Sequence, residues 1–124
     1  QPLDQIRFSL SAADLHVVSL GNEMSGIVHP CKIYGALSIG RPVLTLGPDA
    51  SYLRDITGDN EVGWSIRHGD VDSAVAALKK AVDQTHKERE AMGLSAQQIA
   101  TKKFSREKIL NKFLHSIHYE SLHA

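Results

Sequence analysis

The sequence predicts an α/β fold: a partial doubly wound, Rossmann-like parallel sheet of about three strands, with flanking helices and a helical carboxyl-terminal tail. Three short apolar runs of strand length, residues 15–20, Val43–Leu46 and Gly63–Ile66, are separated by segments with helical spacing. Strands separated in this way do not pair as hairpins, so parallel pairing through right-handed crossovers is the economical arrangement. At 124 residues the chain reads as a single domain, at the small end for a complete nucleotide-binding α/β domain.

The elements follow in order. Leu3, Ile6 and Leu10 share one helical face, which ends near Ala12 and Ala13. Leu15-His-Val-Val-Ser-Leu20 is rich in β-branched residues and leads into Gly21 and Asn22, a strand entering a loop. Pro30 suits a first helical turn, Gly40 a left-handed cap, and Pro42 blocks continuation, so a helix between them precedes the strand at Val43. Residues 51–56 make a short helix, and Gly58, Asp59 and Asn60 turn the chain into the strand at Gly63. Asp70 caps a helix whose Val71, Ala74, Val75, Leu78 and Val82 should pack on the sheet. From 86 to 104 the chain is polar, with Met92, Leu94 and Ile99 as sparse apolar positions, and reads as one exposed helix interrupted at Gly93. Ser105 caps a last helix, 106 to about 118, with Ile109, Leu110, Phe113, Leu114 and Ile117 as its apolar stripe.

Composition narrows the function. Fourteen basic residues balance fourteen acidic ones, so no net field draws the chain to nucleic acid or an anionic membrane, and any anion site must be local. A single cysteine excludes an internal disulfide. Neither a signal-peptide core nor a spanning run is present, which predicts a cytoplasmic location, with membrane association possible only through parts of a longer parent.

The stretch from Ser25 to Leu44 reads as glycine loop, proline-started helix, glycine stop and buried strand. A helix starting at Pro30 leaves the amides of Cys31, Lys32 and Ile33 unpaired. Those donors, the helix dipole and the Lys32 ammonium favour a phosphate or diphosphate, and Gly26 permits close backbone approach. The loop also sits at the carboxyl end of a strand, where ligands bind in open α/β sheets. Its plain alternative is an ordinary βα connection.

Other chemistries are poorly supplied. Gly21 and Gly26 have P-loop spacing, but Ile27 and Val28 stand where Lys and Ser or Thr are needed, and no Gly-x-Gly-x-x-Gly occurs. Cys31 and His29 are close in sequence, yet a small packed cysteine is the simpler reading. His115, His118 and His123 have no acidic or cysteine ligand placed to complete a metal set and read as a solvated helix end. Trp64 reads as core or interface, and Asp59 and Glu61 as turn residues.

Three motifs, Ala13-Asp-Leu-His-Val-Val-Ser-Leu20, Gly26-x3-Pro30-x-Lys32-x-Tyr34-Gly35 and Gly40-Arg-Pro-Val43, carry a family likeness. With Gly63, Gly69-Asp70 and Phe104-Ser105, the chain from about residue 3 to about 118 resembles the second half of the carboxyl-terminal donor-binding domain of retaining GT-B-fold glycosyltransferases. The likeness is to the group 1, family four type, which builds bacterial capsules, O-antigens and colanic-acid-like polysaccharides.

The resemblance implies transfer of a sugar from a nucleoside diphosphate-sugar donor to a surface polysaccharide or glycolipid, with no metal and no cofactor. It implies a nucleotide-sugar site made by Glu23, Ser25, Gly26, Ile27, Val28, His29, Cys31, Lys32 and Gly35. Residues 25–29 would line the sugar, and Cys31 and Lys32 would meet the diphosphate. The family's Glu-x7-Glu pair is altered: starting from Glu23 its second member falls on Cys31, and counting back from Gly40 it falls on Gly35, with Ile27 as the first. A one-turn insertion reconciles the two, and the Pro-x-Lys-x-Tyr-Gly variant looks like the amino- and deoxy-sugar branch that lacks the ribose glutamate. No residue here is assigned as general base.

On this reading the first three strands, with the basic residues used on the diphosphate, either precede Gln1 or were never present, and the acceptor domain is absent as well. The chain alone is then expected to be inactive, and its first strand to have an unpaired edge suited to a dimer. A sugar-nucleotide epimerase of the same fold, and a non-catalytic module binding a phosphometabolite or protein, are the alternatives.

Overall fold

The computed structural model describes residues 2–58 and 61–123, and Asp59 lies outside them. A single 3-10 turn (Leu3–Gln5) leads into α1 (Ile6–Ser11), followed by β1 (His16–Ser19), α2 (Lys32–Ser38), β2 (Val43–Leu46) and α3 (Tyr52–Gly58). Then come β3 (Gly63–Ile66), α4 (Val71–Asp83), α5 (His86–Phe104) and α6 (Arg106–His123). The three strands are parallel and lie in the order β1-β2-β3, so β2 is central.

The register sets the two faces. Val17, Leu44 and Trp64 are aligned, as are Ser19, Leu46 and Ile66, and these share one face; His16, Val43 and Gly63, then Val18, Thr45 and Ser65, share the other. Adjacent right-handed crossovers put their helices on the same side. Accordingly α2 and α3 cover the second face, where Val18, Leu20, Ile33, Leu37, Val43, Leu53, Ile56 and Val62 form the main core. The first face holds a smaller cluster, Leu44, Ile66 and Ala77, with Leu15, Leu46, Trp64 and Ala74 packed on it from the sheet and α4.

Helix ends are set by local chemistry. Gly40 takes φ +70°, its amide bonds the Leu37 carbonyl at 3.0 Å, and the Arg41 amide bonds that of Ala36 at 3.0 Å, which closes α2 as a Schellman motif. Asp70 accepts from the Ser73 amide at 3.0 Å. Thr85 and Glu88 form a reciprocal capping box at the start of α5. Ser105 Oγ accepts from the Lys108 amide at 3.4 Å and starts α6.

Two expectations need correction. The segment 86–104 is neither broken at Gly93 nor a solvated helix: α5 is continuous and buries Gly93, Ala96 and Ile99, packing against α2. It makes that contact largely with small residues, which carry little hydrophobic signal. The helix after Asp70 packs on the sheet only through Ala74 and Ala77, because Val71, Val75, Leu78 and Val82 remain exposed. The apolar stripe of α6 is exposed as well.

Candidate ligand-binding edge

Each strand ends at the same edge of a parallel sheet, so the connections β1-α2, β2-α3 and β3-α4 are brought together there. Side chains tie them. Ser25 Oγ donates to the Ala50 carbonyl at 2.6 Å, joining the first loop to the second. His68 Nε2 donates to the Leu20 carbonyl at 2.8 Å, joining the third to the first, which puts its proton on Nε2. Asp49 pairs with Arg54 at 2.5 Å and with Arg67, joining the second loop to the third.

The Asp49 carboxyl is held below the usual carboxylate range, chiefly by the bond from Arg67, which outweighs the opposing effect of burial, and further by the charges of both arginines and the bond from Arg54. Asp49 in turn raises Arg67. A lowered folded-state value means that the tie is intact above the ordinary carboxylate pKa of about 3.9 and is lost as pH falls through the lowered one. A carbon-13 titration of the Asp49 carboxyl is expected to give a midpoint below that ordinary value. A midpoint at or above it contradicts the pairing.

The first loop carries most of the residues expected to bind a ligand. Glu23 is exposed on a 3-10 turn (Asn22–Met24). Gly26 has φ +79°, a conformation that L side chains rarely adopt, with open space beside it. Ile27 and Val28 expose their side chains at the tip of the loop, an unusual place for two apolar residues. The His29 ring stacks on Tyr52 with centroids 3.7 Å apart and planes at 15°, and its Nε2 pairs with the Tyr34 hydroxyl. Tyr34 tilts against Phe104 in turn.

These phenols stay protonated. Burial first, then Cys31, raises Tyr34; burial, then Tyr34 and Cys31, pushes Tyr52 up to about 12. The Tyr52 hydroxyl is buried and has no partner among the described residues.

The helix start is narrower than the sequence implies. Regular helix begins at Lys32, and the Ile33 amide bonds the Pro30 carbonyl at 3.5 Å, so the amides of Cys31 and Lys32 are the two left without an acceptor among the described residues. Lys32 is exposed beside them. Cys31 is exposed, not packed, and its thiol donates to the carbonyl of His29 at 3.4 Å, so no Cys-His dyad forms. Gly35 is not brought to the loops: a Cβ there would lie 3.1 Å from Leu10 Cδ1, so its openness serves packing against α1.

Sequence reasoning missed Tyr34, Tyr52, Asp49, Arg54, Arg67 and His68. Most follow directly after a strand or begin the next helix, which was the available signal. Of the turn pair, Glu61 has φ +51° and is exposed. His115 is exposed, and the side chains of His118 and His123 lie outside the described residues. Among the described residues no group of three or more His, Cys, Asp or Glu is arranged to hold a metal ion, and no helix is long and apolar enough to cross a membrane.

In comparisons with protein-family models, curated proteins and solved structures, nothing matches this chain.

Proposed function

We propose that this chain holds the nucleoside diphosphate-sugar donor of a retaining glycosyl transfer at the carboxyl edge of its sheet. The observation that carries the reading is the joining of three βα loops around a left-handed glycine, two unpaired amides and an exposed lysine. Such an edge suits an anionic ligand, because backbone amides and a lysine supply charge-assisted donors without a desolvated counter-ion.

In this reading the diphosphate meets Lys32 and the amides of Cys31 and Lys32, while the loop from Glu23 to His29 faces the sugar. His29 is fixed by its stack on Tyr52, so it offers an ordered polar edge to a sugar hydroxyl. Positive charge at Lys32 stabilises the leaving diphosphate, whose oxygen then helps deprotonate the acceptor. A bacterial surface polysaccharide or glycolipid, assembled on the cytoplasmic side, is the acceptor class that the motifs suggest.

Titration with a panel of nucleoside diphosphate-sugars, followed by amide shifts, is the test. The largest changes are expected from Gly26 to Ile33, and Lys32→Glu should weaken binding at least about tenfold, as loss and reversal of a charge-assisted contact requires. Shifts centred on residues 106–117, or binding untouched by Lys32→Glu, refute the assignment.

A further inference from the structure

Among the described residues two apolar stripes are left exposed and uncovered. On α4, Val71, Val75, Leu78 and Val82 recur at spacings of four, three and four, and on α6, Leu110, Phe113 and Ile117 recur at three and four, with Ile109 and Leu114 alongside. Both are the 3.5-residue repeat of helices that pack lengthwise. All nine side chains are between 44% and 77% exposed. The α4 stripe also forms one wall of a cavity of about 270 Å³ at the amino end of the sheet, lined by Leu15, Pro42, Trp64, Leu78, Ala81 and Val82. Its rim carries Asp14 and Arg89, paired at 3.4 Å.

We propose that two copies of this chain associate by reciprocal docking, the α6 stripe of each lying along the α4 stripe of the other with Phe113 entering the cavity beside Trp64. Size supports the fit, since a cavity of roughly 150 Å³ admits a benzene ring, which leaves room here for a phenyl group. Area supports the stoichiometry. With all nine side chains 44–77% exposed, the two stripes together offer an area of the order of the roughly 800 Å² that one partner contributes to a standard stable interface.

The ridge and the groove are both present on every chain, so a two-fold exchange between two copies satisfies both at once, whereas the same contact made head to tail would run on into larger species, whose appearance in sedimentation overturns the reciprocal dimer. An aromatic anchor entering an apolar pocket is also the kind of contact that dominates binding energy. Pairing through the free edge of β1, around Val17, is the competing way to make a dimer.

Sedimentation velocity over a wide concentration range, read together with Trp64 emission, tests the proposal on the whole chain; Trp64 is the only tryptophan. A dimer is expected, with Trp64 emission that changes on dilution. Phe113→Glu and Leu78→Glu, both at exposed positions, should each weaken association at least about thirtyfold while far-ultraviolet circular dichroism is retained. Mixing those two variants should restore part of the association, since the α6 of one can still enter the intact groove of the other. A monomer throughout, a dimer insensitive to Phe113→Glu but dissolved by Val17→Lys, or a mixture no stronger than its components overturns it.

Discussion

Gly63→Ala should cost this chain a large share of its stability, about 3–5 kcal/mol. Gly63 opens β3 with φ +157°, and a Cβ built on it would overlap the carbonyl oxygen of Val43 in the central strand. Neither side can give way cheaply. Val43 is completely buried and its amide bonds the Val62 carbonyl at 3.0 Å, so relief requires β3 to part from β2. That separation would expose Ile66, Val62 and the inner edge of Trp64, a loss of about 3–5 kcal/mol by analogy with other backbone-strain and core-disrupting changes. Domains of this size have only about 5–15 kcal/mol in total. Urea unfolding followed by circular dichroism gives the measurement. Gly58→Ala is the control, because the space beside Gly58 is open, and it should be neutral or mildly stabilising. A loss below about 1 kcal/mol for Gly63→Ala would contradict the close approach.

The second large effect is expected at the contact between α2 and α5. Alanine normally favours a helix over glycine by about 1 kcal/mol. At Gly93 the sign should reverse, because a Cβ would lie 2.5 Å from the carbonyl oxygen of Gly40. Gly40 is itself fixed by its left-handed φ and by the Schellman bonds that end α2. The helix α5 must therefore lift, opening the packing of Ala96 and Ile99, at a cost of about 1–3 kcal/mol typical of overpacking. Gly93→Ala should lower the urea midpoint and speed amide exchange in α2 and α5 together. An increase in stability would mean that the two helices do not meet at this point.

The strands, the crossover helices and the cap residues Gly40, Asp70 and Ser105 were legible in the sequence because each is a local matter of branching, spacing or capping. The packing of α5 was not. Its contact rests on Gly93, Ala96 and Ala100, whose value lies in how closely a backbone can approach and is invisible to hydrophobic patterning. The converse holds at α4, where a well-formed apolar stripe stays uncovered among the described residues. Periodicity reports that a face is apolar, not what covers it. At the carboxyl edge of the sheet the first loop was legible from its glycines and Pro30, whereas Arg67, His68 and Tyr52 join it only through folding from distant positions. Gly35 illustrates the limit of motif counting, since its place in the pattern says nothing of which side of α2 it occupies.

The order β1-β2-β3 also has a temporal meaning. In synthesis, each strand's hydrogen-bonding neighbour is the next strand to emerge, and no later segment has to thread back to the first one. The sheet and its two crossover helices can therefore assemble in step with the ribosome, as expected for chains whose contacts lie close in sequence. The outer side of α2 cannot, because its cover is α5, nearly fifty residues downstream by the numbering of the two helices. During that interval the nascent chain presents a formed but half-clad helix, an opening for a chaperone or an aggregating neighbour that shuts once α5 docks.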